Sequence, residues 1–339
     1  MKKKVKTRYP DFFKKVKDTV SHYDMVRKGE KVLVAVSGGA DSVSLVTALR
    51  ALSSGLGIEI VVATLDHGTR AGESAREALF VADLAESLGL KCVSEKLRFP
   101  SRHQGRISLE EKLRQKRYEF FIRTAKAQGC SCVATGHNMD DQAETVLMRV
   151  IKGSSADGLA GIPPVRTEQG IRFIRPLIRI SRKDIVSFVN VNGIKHVEDS
   201  SNADQKFLRN RIRMEVLPFL EKINPEVRSS LVNIADSVRE DLLFAAACRK
   251  EKAECVVPDG QPRTGVKLRE YLAQPAAVRR EIFKRFFVSS GGSVKKLSYR
   301  HWMLLDNFAR TQSKGRSLDL PGGVTAVKSG GKISFSRSA

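Results

Sequence analysis

Residues 31–52 read KVLVAVSGGADSVSLVTALRAL. The first six are apolar apart from Lys31, and three of them are β-branched valines, the pattern of a buried strand. Val43 to Leu52 repeats apolar residues at three- and four-residue intervals, the pattern of a helix. Between them stand Ser37, Gly38, Gly39, Ala40, Asp41 and Ser42. Two residues without a Cβ let the backbone turn sharply and bring its N–H groups close to an anion. The helix start adds a partial positive charge, and Ser37 and Ser42 add hydroxyl donors. Asp41 would repel phosphate unless it holds Mg2+ against it, so Asp41 is the candidate metal ligand. The stretch matches neither G-x-x-x-x-G-K-[ST] nor G-x-G-x-x-G, which excludes a P-loop kinase and a dinucleotide dehydrogenase on motif grounds.

The same alternation continues outward. IEIVVATLDHG precedes SAREALFVADLAESLG, KCVSEKLRF precedes SLEEKLRQKRYEFFIRTAKAQG, and CSCVATGHN precedes MDDQAETVLMRVIKG. Strand and helix at this spacing predict an α/β fold, a doubly wound parallel sheet. Such sheets bind ligands at the carboxyl ends of their strands. Polar residues gather at those ends: Ser37-Gly38-Gly39, Asp66-His67 and Gly136-His137. We take these as one active-site edge. Residues 153–165, GSSADGLAGIPPV, read as a loop. Residues 228–254 read as a long helix, 268–273 and 278–288 as helices, and 317–336 as a small sheet around glycine turns. The expected division is 1–220 for the catalytic domain and 221–339 for a smaller, mostly helical domain ending in that sheet.

The charge points to a polyanionic partner. Sixty Lys and Arg against 37 Asp and Glu give +23 over 339 residues, an excess that favours nucleic acid. No stretch approaches the roughly 20 apolar residues of a membrane span. The basic N-terminus lacks the apolar core of a secretory signal. Five cysteines, sparse and odd in number, suit reduced thiols and a cytoplasmic protein. Cys130 and Cys132 form C-x-C on an apolar run and read as small core residues rather than a zinc or redox pair.

Ser-Gly-Gly-x-Asp-Ser after a strand resembles the signature of the PP-loop ATP pyrophosphatases, which bind ATP, adenylate a substrate and release pyrophosphate. The remaining motifs make the chain most similar to the tRNA(Ile)-lysidine synthases of that superfamily. They are DHGTR at 66–70, KLRQKRYEFF at 112–121, GHNMDDQAETVLMRVIKGSSADGLAGI at 136–162, IRPLIRISRKDI at 174–185 and EDSSNADQKFLRNRIRMEVLPFL at 198–220. The family commonly has Gly-His-His where this chain has Gly136-His137-Asn138, so the part played by Asn138 is a question for the structure.

The resemblance implies a reaction. The wobble cytidine of a CAU-anticodon tRNA(Ile) is adenylated at C2, and free L-lysine then displaces AMP to give lysidine. ATP is the co-substrate and Mg2+ the expected metal. Catalytic candidates are Asp41, Asp140, Asp141 and Arg114, with Glu144 on the face of Asp140. A lysine ammonium must lose a proton before it attacks, and carboxylates suit that task. Arg114 and Arg117 share a helix face and could clamp phosphates or tRNA backbone. Arg209, Arg211 and Arg213, and further along Lys295, Lys296 and Arg300, are candidate tRNA contacts. Arg172, Arg175, Arg179, Arg182 and Lys183 are expected to thicken the basic surface. Phe283, Phe286 and Phe287 read as core, whereas Trp302 among basic residues suits either core or base stacking. A homodimer is left open. The alternatives are a PP-loop tRNA 2-thiolation enzyme and a non-catalytic, ATP-regulated RNA-binding module.

Overall fold

The computed structural model describes residues 10–66, 73–96, 109–197, 208–256, 265–294, 297–311 and 317–337. The chain divides into two compact units, Met1–Val238 and Arg239–Ala339. The predicted strand that opens the motif is β1 (Lys31–Ala35), and its helix is α2 (Ala40–Leu56). β2 (Glu59–Asp66), α3 (Glu73–Ser87), β3 (Lys91–Lys96), α4 (Leu109–Ala127), β4 (Cys132–Ala134) and α5 (Met139–Ile151) follow in the alternation read from the sequence. α1 (Pro10–His22) precedes them.

A sheet of six strands runs β3-β2-β1-β4-β6-β5. β1 pairs in parallel with β2 and with β4, and β4 with β6 (Ile171–Ile174). β5 (Val165–Glu168) closes the edge as an antiparallel hairpin with β6. These two strands come from the Pro-rich stretch and the residues after it. Alternating side chains of β1 serve two cores. Val32 and Val34 pack with Leu45, Leu49, Phe12 and Phe188, and Leu33 packs with Val61, Phe120 and Phe173. A strand buried on both faces must be apolar throughout, which is why β1 reads as an unbroken run.

The order of strands fixes where a ligand can bind. From β1 the chain crosses to β2 on one side, whereas β4 lies on its other side. The carboxyl ends of β1 and β4 therefore border the switch point of the sheet, where α/β proteins have their crevice. The SGGADS loop leaves β1 there and the GHN loop leaves β4 beside it. The stretch expected to be all loop contains a short helix, α6 (Ala156–Leu159). After it come α7 (Arg182–Val191), α8 (Leu208–Arg211), a wide π turn over Ile212–Val216 and α9 (Leu217–Ile223).

α10 (Val227–Val256) leads into the second unit. That unit holds β7 (Gly265–Lys267), α11 (Leu268–Leu272), α12 (Ala276–Ser289), α13 (Tyr299–Arg310) and a hairpin series β8 (Ser317–Leu320), β9 (Val324–Ser329) and β10 (Lys332–Arg337). The predicted small sheet has four strands, because β7 adds to β10. Phe283, Phe286 and Phe287 are buried as expected, and Phe335 from β10 stacks on Phe286 at 5.4 Å. Trp302 belongs to the same core, with the Arg280 guanidinium 4.7 Å from its ring centre. Base stacking by Trp302 is corrected on that ground.

Candidate active site

The turn from β1 into α2 is held by its own serines. Ser37 N donates to Ser42 Oγ at 3.1 Å, and Ser42 Oγ donates to the Gly39 carbonyl at 2.9 Å. Gly38 has φ +91°, in the region that favours glycine. Its carbonyl accepts from Val197 N at 2.9 Å, and the Val197 side chain leaves 3.4 Å for a Cβ at Gly38. A helix start here supplies backbone N–H groups without helical partners and a partial positive charge, as an anion site requires.

Across the switch point, Gly136 lets the second loop lie directly on that helix start. A Cβ at Gly136 would stand 3.3 Å from Ser42 N and 3.4 Å from the Asp41 Cβ. Asn138 is the N-cap of α5. Its side chain accepts from Asp141 N at 3.1 Å, while Asp141 Oδ2 accepts from Asn138 N at 3.1 Å, which makes a reciprocal capping box. The other end of the same carboxamide donates to Asp41 Oδ1 at 3.1 Å. Capping therefore belongs to Asn138, with Asp141 completing it.

Asp41 is also paired through Oδ2 with the Arg182 guanidinium. Burial raises its pKa above the usual carboxylate range, Arg182 opposes that rise and the Asp141 charge adds to it. Asp140 accepts from Arg182 N at 2.7 Å and from Arg228 at 2.6 Å. Asp141 pairs with Arg209 at 2.7 Å. Glu144, placed by the sequence on the face of Asp140, is buried with its side chain 1% exposed. Arg209 Nε reaches its Oε2 at 2.7 Å and Arg213 Nε its Oε1 at 2.6 Å.

His137 is half-buried, with Nδ1 2.9 Å from Thr135 Oγ1. Desolvation first, then the charges of Arg175, Arg209, Arg114 and Arg117, push its pKa down to about 3. The imidazole is neutral in the working range. These arginines and the acids of α5 thus surround one edge of the sheet, Arg114 and Arg117 from the exposed face of α4.

Other expectations are corrected by burial and pairing. Arg175 is 2% exposed, donates to the Pro163 carbonyl, and burial lowers its pKa. Arg172 pairs with Glu30, Arg179 with Asp236 and Arg182 with Asp41, so these side chains tie elements together rather than thicken a free surface. Arg209 and Arg213 face acids; Arg211 is exposed and lies 3.6 Å from Glu215. Asp66 is buried at the end of β2. Arg300 is exposed on α13, while His67, Lys295 and Lys296 lie outside the described residues. Cys130 and Cys132 are core residues, and burial pushes the Cys132 thiol up to about 11.

Sequence reasoning missed Arg182 as a partner of the turn between β1 and α2. The signal was present: Arg182 and Lys183 open α7, where the helix dipole disfavours cations unless an anion lies opposite. Glu144 carried no such signal, because its burial depends on a segment 65 to 69 residues away.

A PP-loop domain model matches residues 1–220. A tRNA(Ile)-lysidine synthase from Symbiobacterium thermophilum is 38% identical over 331 residues, 96% of this chain and 69% of that protein. The chain belongs to the PP-loop family of tRNA(Ile)-lysidine synthases. Members from Geobacter sulfurreducens and Bacillus subtilis are 33% and 30% identical, over 96% and 93% of this chain and 69% and 67% of their own lengths. A U34-tRNA thiolase from Methanococcus maripaludis shares the fold, with TM-score 0.58 at 18% identity, over 68% of this chain and 78% of its own. Among the described residues no helix is long and apolar enough to cross a membrane.

Proposed function

We propose that this lysidine synthase family member modifies the wobble cytidine of a CAU-anticodon tRNA(Ile), with ATP and free L-lysine as co-substrates, in the cytoplasm. The observation that carries the reading is the meeting of the β1 and β4 loops at the sheet's switch point, through the contact of Asn138 with Asp41. It puts an anion cradle beside a cluster of carboxylates and a neutral histidine, the juxtaposition that adenylation followed by amine attack requires.

In the first step the cytidine C2 oxygen attacks the ATP α-phosphate and the bond to pyrophosphate breaks. The Ser37, Gly38, Gly39, Ala40 and Ser42 turn cradles the leaving phosphates, and Arg114 neutralises developing charge. In the second step the lysine ε-amine bonds to C2 and the C2–O bond to AMP breaks. Asp140 and Asp141 hold the incoming ammonium, and a carboxylate of this pair takes the proton the amine must lose before it attacks. His137 stays neutral and offers hydrogen bonds only.

Mg2+ fits Asp41. It binds through one or two carboxylates plus substrate phosphates, and the Asp41 side chain, at the start of α2, retains 31% exposure. When bound, the metal neutralises phosphate charge. Arg117, Arg211 and Arg300 are proposed contacts to tRNA phosphates, with Lys295 and Lys296 in the same role. Arg209 and Arg213 act mainly through the acids they hold.

The test is labelling with radioactive lysine, Mg·ATP and a CAU tRNA(Ile) transcript, followed by mild alkali that strips aminoacyl esters. Stable label that needs ATP and is absent from a methionine CAU tRNA is the expected result. Pyrophosphate release without label would transfer the reading to another nucleophile.

A further inference from the structure

We propose that Asn138 is a positioning residue of the ATP site, whose carboxamide fixes the direction of the Asp41 carboxylate and makes the acid-bearing start of α5 move with the ATP loop. The inference rests on the adenylation reading above and deepens it.

Asn138 is 4% exposed, and its side chain divides its two functions between two elements. The oxygen accepts from Asp141 N within α5, and the nitrogen donates to Asp41 Oδ1 at the start of α2, each at 3.1 Å. The backbone of Gly136 rests on the same turn, close enough that a methyl group would touch Ser42 N and Asp41. The remaining Asp41 oxygen is held by Arg182, whose side chain is 45% exposed. The two holders differ in kind. A half-exposed guanidinium is a charge that an arriving metal–nucleotide can replace, and solvent receives it. A buried neutral amide has no such alternative and stays. Asn138 therefore keeps the carboxylate aimed at the phosphates while its counter-ion is exchanged. Because the same side chain caps α5, occupancy of the cradle also sets the position of Asp140 and Asp141.

Substitution separates capping from bridging. Serine and aspartate cap helices about as well as asparagine. Serine is too short to reach Asp41, and aspartate has no donor and would set two carboxylates against each other. Neutral histidine offers one donor and one acceptor and is the conservative replacement. Measurements on the full chain are the affinity for Mg2+ with α,β-methylene-ATP by calorimetry, the affinity for tRNA, and the melting temperature. Asn138→Ser is expected to weaken the nucleotide analogue about tenfold, the range set by losing a hydrogen bond to a charged group. Asn138→Asp is expected to weaken it further, and Asn138→His to restore most of the loss. Melting temperature and tRNA affinity should stay near the parent values for Asn138→Ser, whereas Asn138→Asp, which buries a second carboxylate beside Asp41, is expected to melt lower while keeping its tRNA affinity. Analogue binding within twofold of the parent in both variants would overturn the proposal and leave Asn138 a cap, as would a parent protein that does not bind the analogue. The binding assay contains no tRNA or lysine. Loss of nucleotide affinity in the variants, alongside a parent that incorporates no lysine, would therefore support Asn138 while sinking the lysidine reading.

Discussion

Asp41 sits among a guanidinium, a carboxamide and the charge of Asp141, and burial holds its pKa above the ordinary carboxylate value. The folded chain therefore binds this proton more tightly than the unfolded chain does. Stability from the group is lost as pH rises through the window above the ordinary value, and ionised Asp41 is a net destabilising charge at neutral pH. Asp41→Asn should raise the melting temperature of the nucleotide-free protein at neutral pH. The same variant should lower pyrophosphate release by about 100-fold or more, since charge stabilisation at the phosphates is lost. Activity near the parent's in Asp41→Asn would remove Asp41 from the mechanism. His137 has the opposite sign of effect on proton uptake. Its pKa is pushed down to about 3, against about 6.5 for the unfolded chain. The folded state binds fewer protons between those values, so stability falls as pH drops through that interval. His137→Gln should flatten the acid side of a melting-temperature profile. It should leave the pH dependence of turnover between about 6 and 8 where it was, because a neutral ring does not titrate there. A limb in that range that vanishes in the variant would show that His137 is the base.

At the scale of elements, α5 is the hub of the site. Its N-terminal turn bears Asp140, Asp141 and the cap, and one turn on, Glu144 receives two arginines from the 208–216 segment. Below them Ala143 and Val146 pack with Ile212, Leu217 and Leu231, so apolar contact and ion pairs fasten the same join. Glu144→Gln keeps the volume but leaves two guanidinium groups with a neutral partner. A loss of about 1–3 kcal/mol is expected, read as a shift of the urea midpoint. Hydrogen exchange should quicken over 208–223 before it does in β1. Unchanged exchange there would show that the apolar contacts alone hold the segment. The approach of the β4 loop to α2 makes its own prediction. Gly136→Ala sets a Cβ 3.3 Å from Ser42 N and 3.4 Å from the Asp41 Cβ, tighter than ordinary van der Waals contact. It should raise the KM for ATP several-fold with little change in melting temperature, since the loop, not the sheet, has to yield.

Over the whole molecule the net charge of +23 governs association. If six or more phosphates are neutralised, tRNA affinity should fall by about 1,000-fold or more between 50 and 200 mM salt. A shallow salt slope would put recognition on neutral contacts instead. The single tryptophan, Trp302, lies in the core of the second unit. Its emission reports the unfolding of that unit, while far-UV circular dichroism reports both.

Local sequence accounts for the alternation of strands and helices and the anion turn after β1. It also settled the apolar character of Cys130, Cys132 and the Phe283–Phe287 face, and the basic charge. These depend on local periodicity, on the steric freedom of glycine and on composition, all of which are properties of neighbours in the chain. Tertiary structure alone decided which charged groups are free. Arg175, Arg182 and Glu144 read as surface residues or left the question open. Their partners are elements distant in sequence, and burial is set by what packs above a residue rather than by the residue. Asn138 shows the division most directly. Its place before MDD marks a helix start, but its bond to Asp41 exists because β1 and β4 are neighbours in the sheet. Strand order brings together two loops 97 residues apart, and no local preference encodes that order.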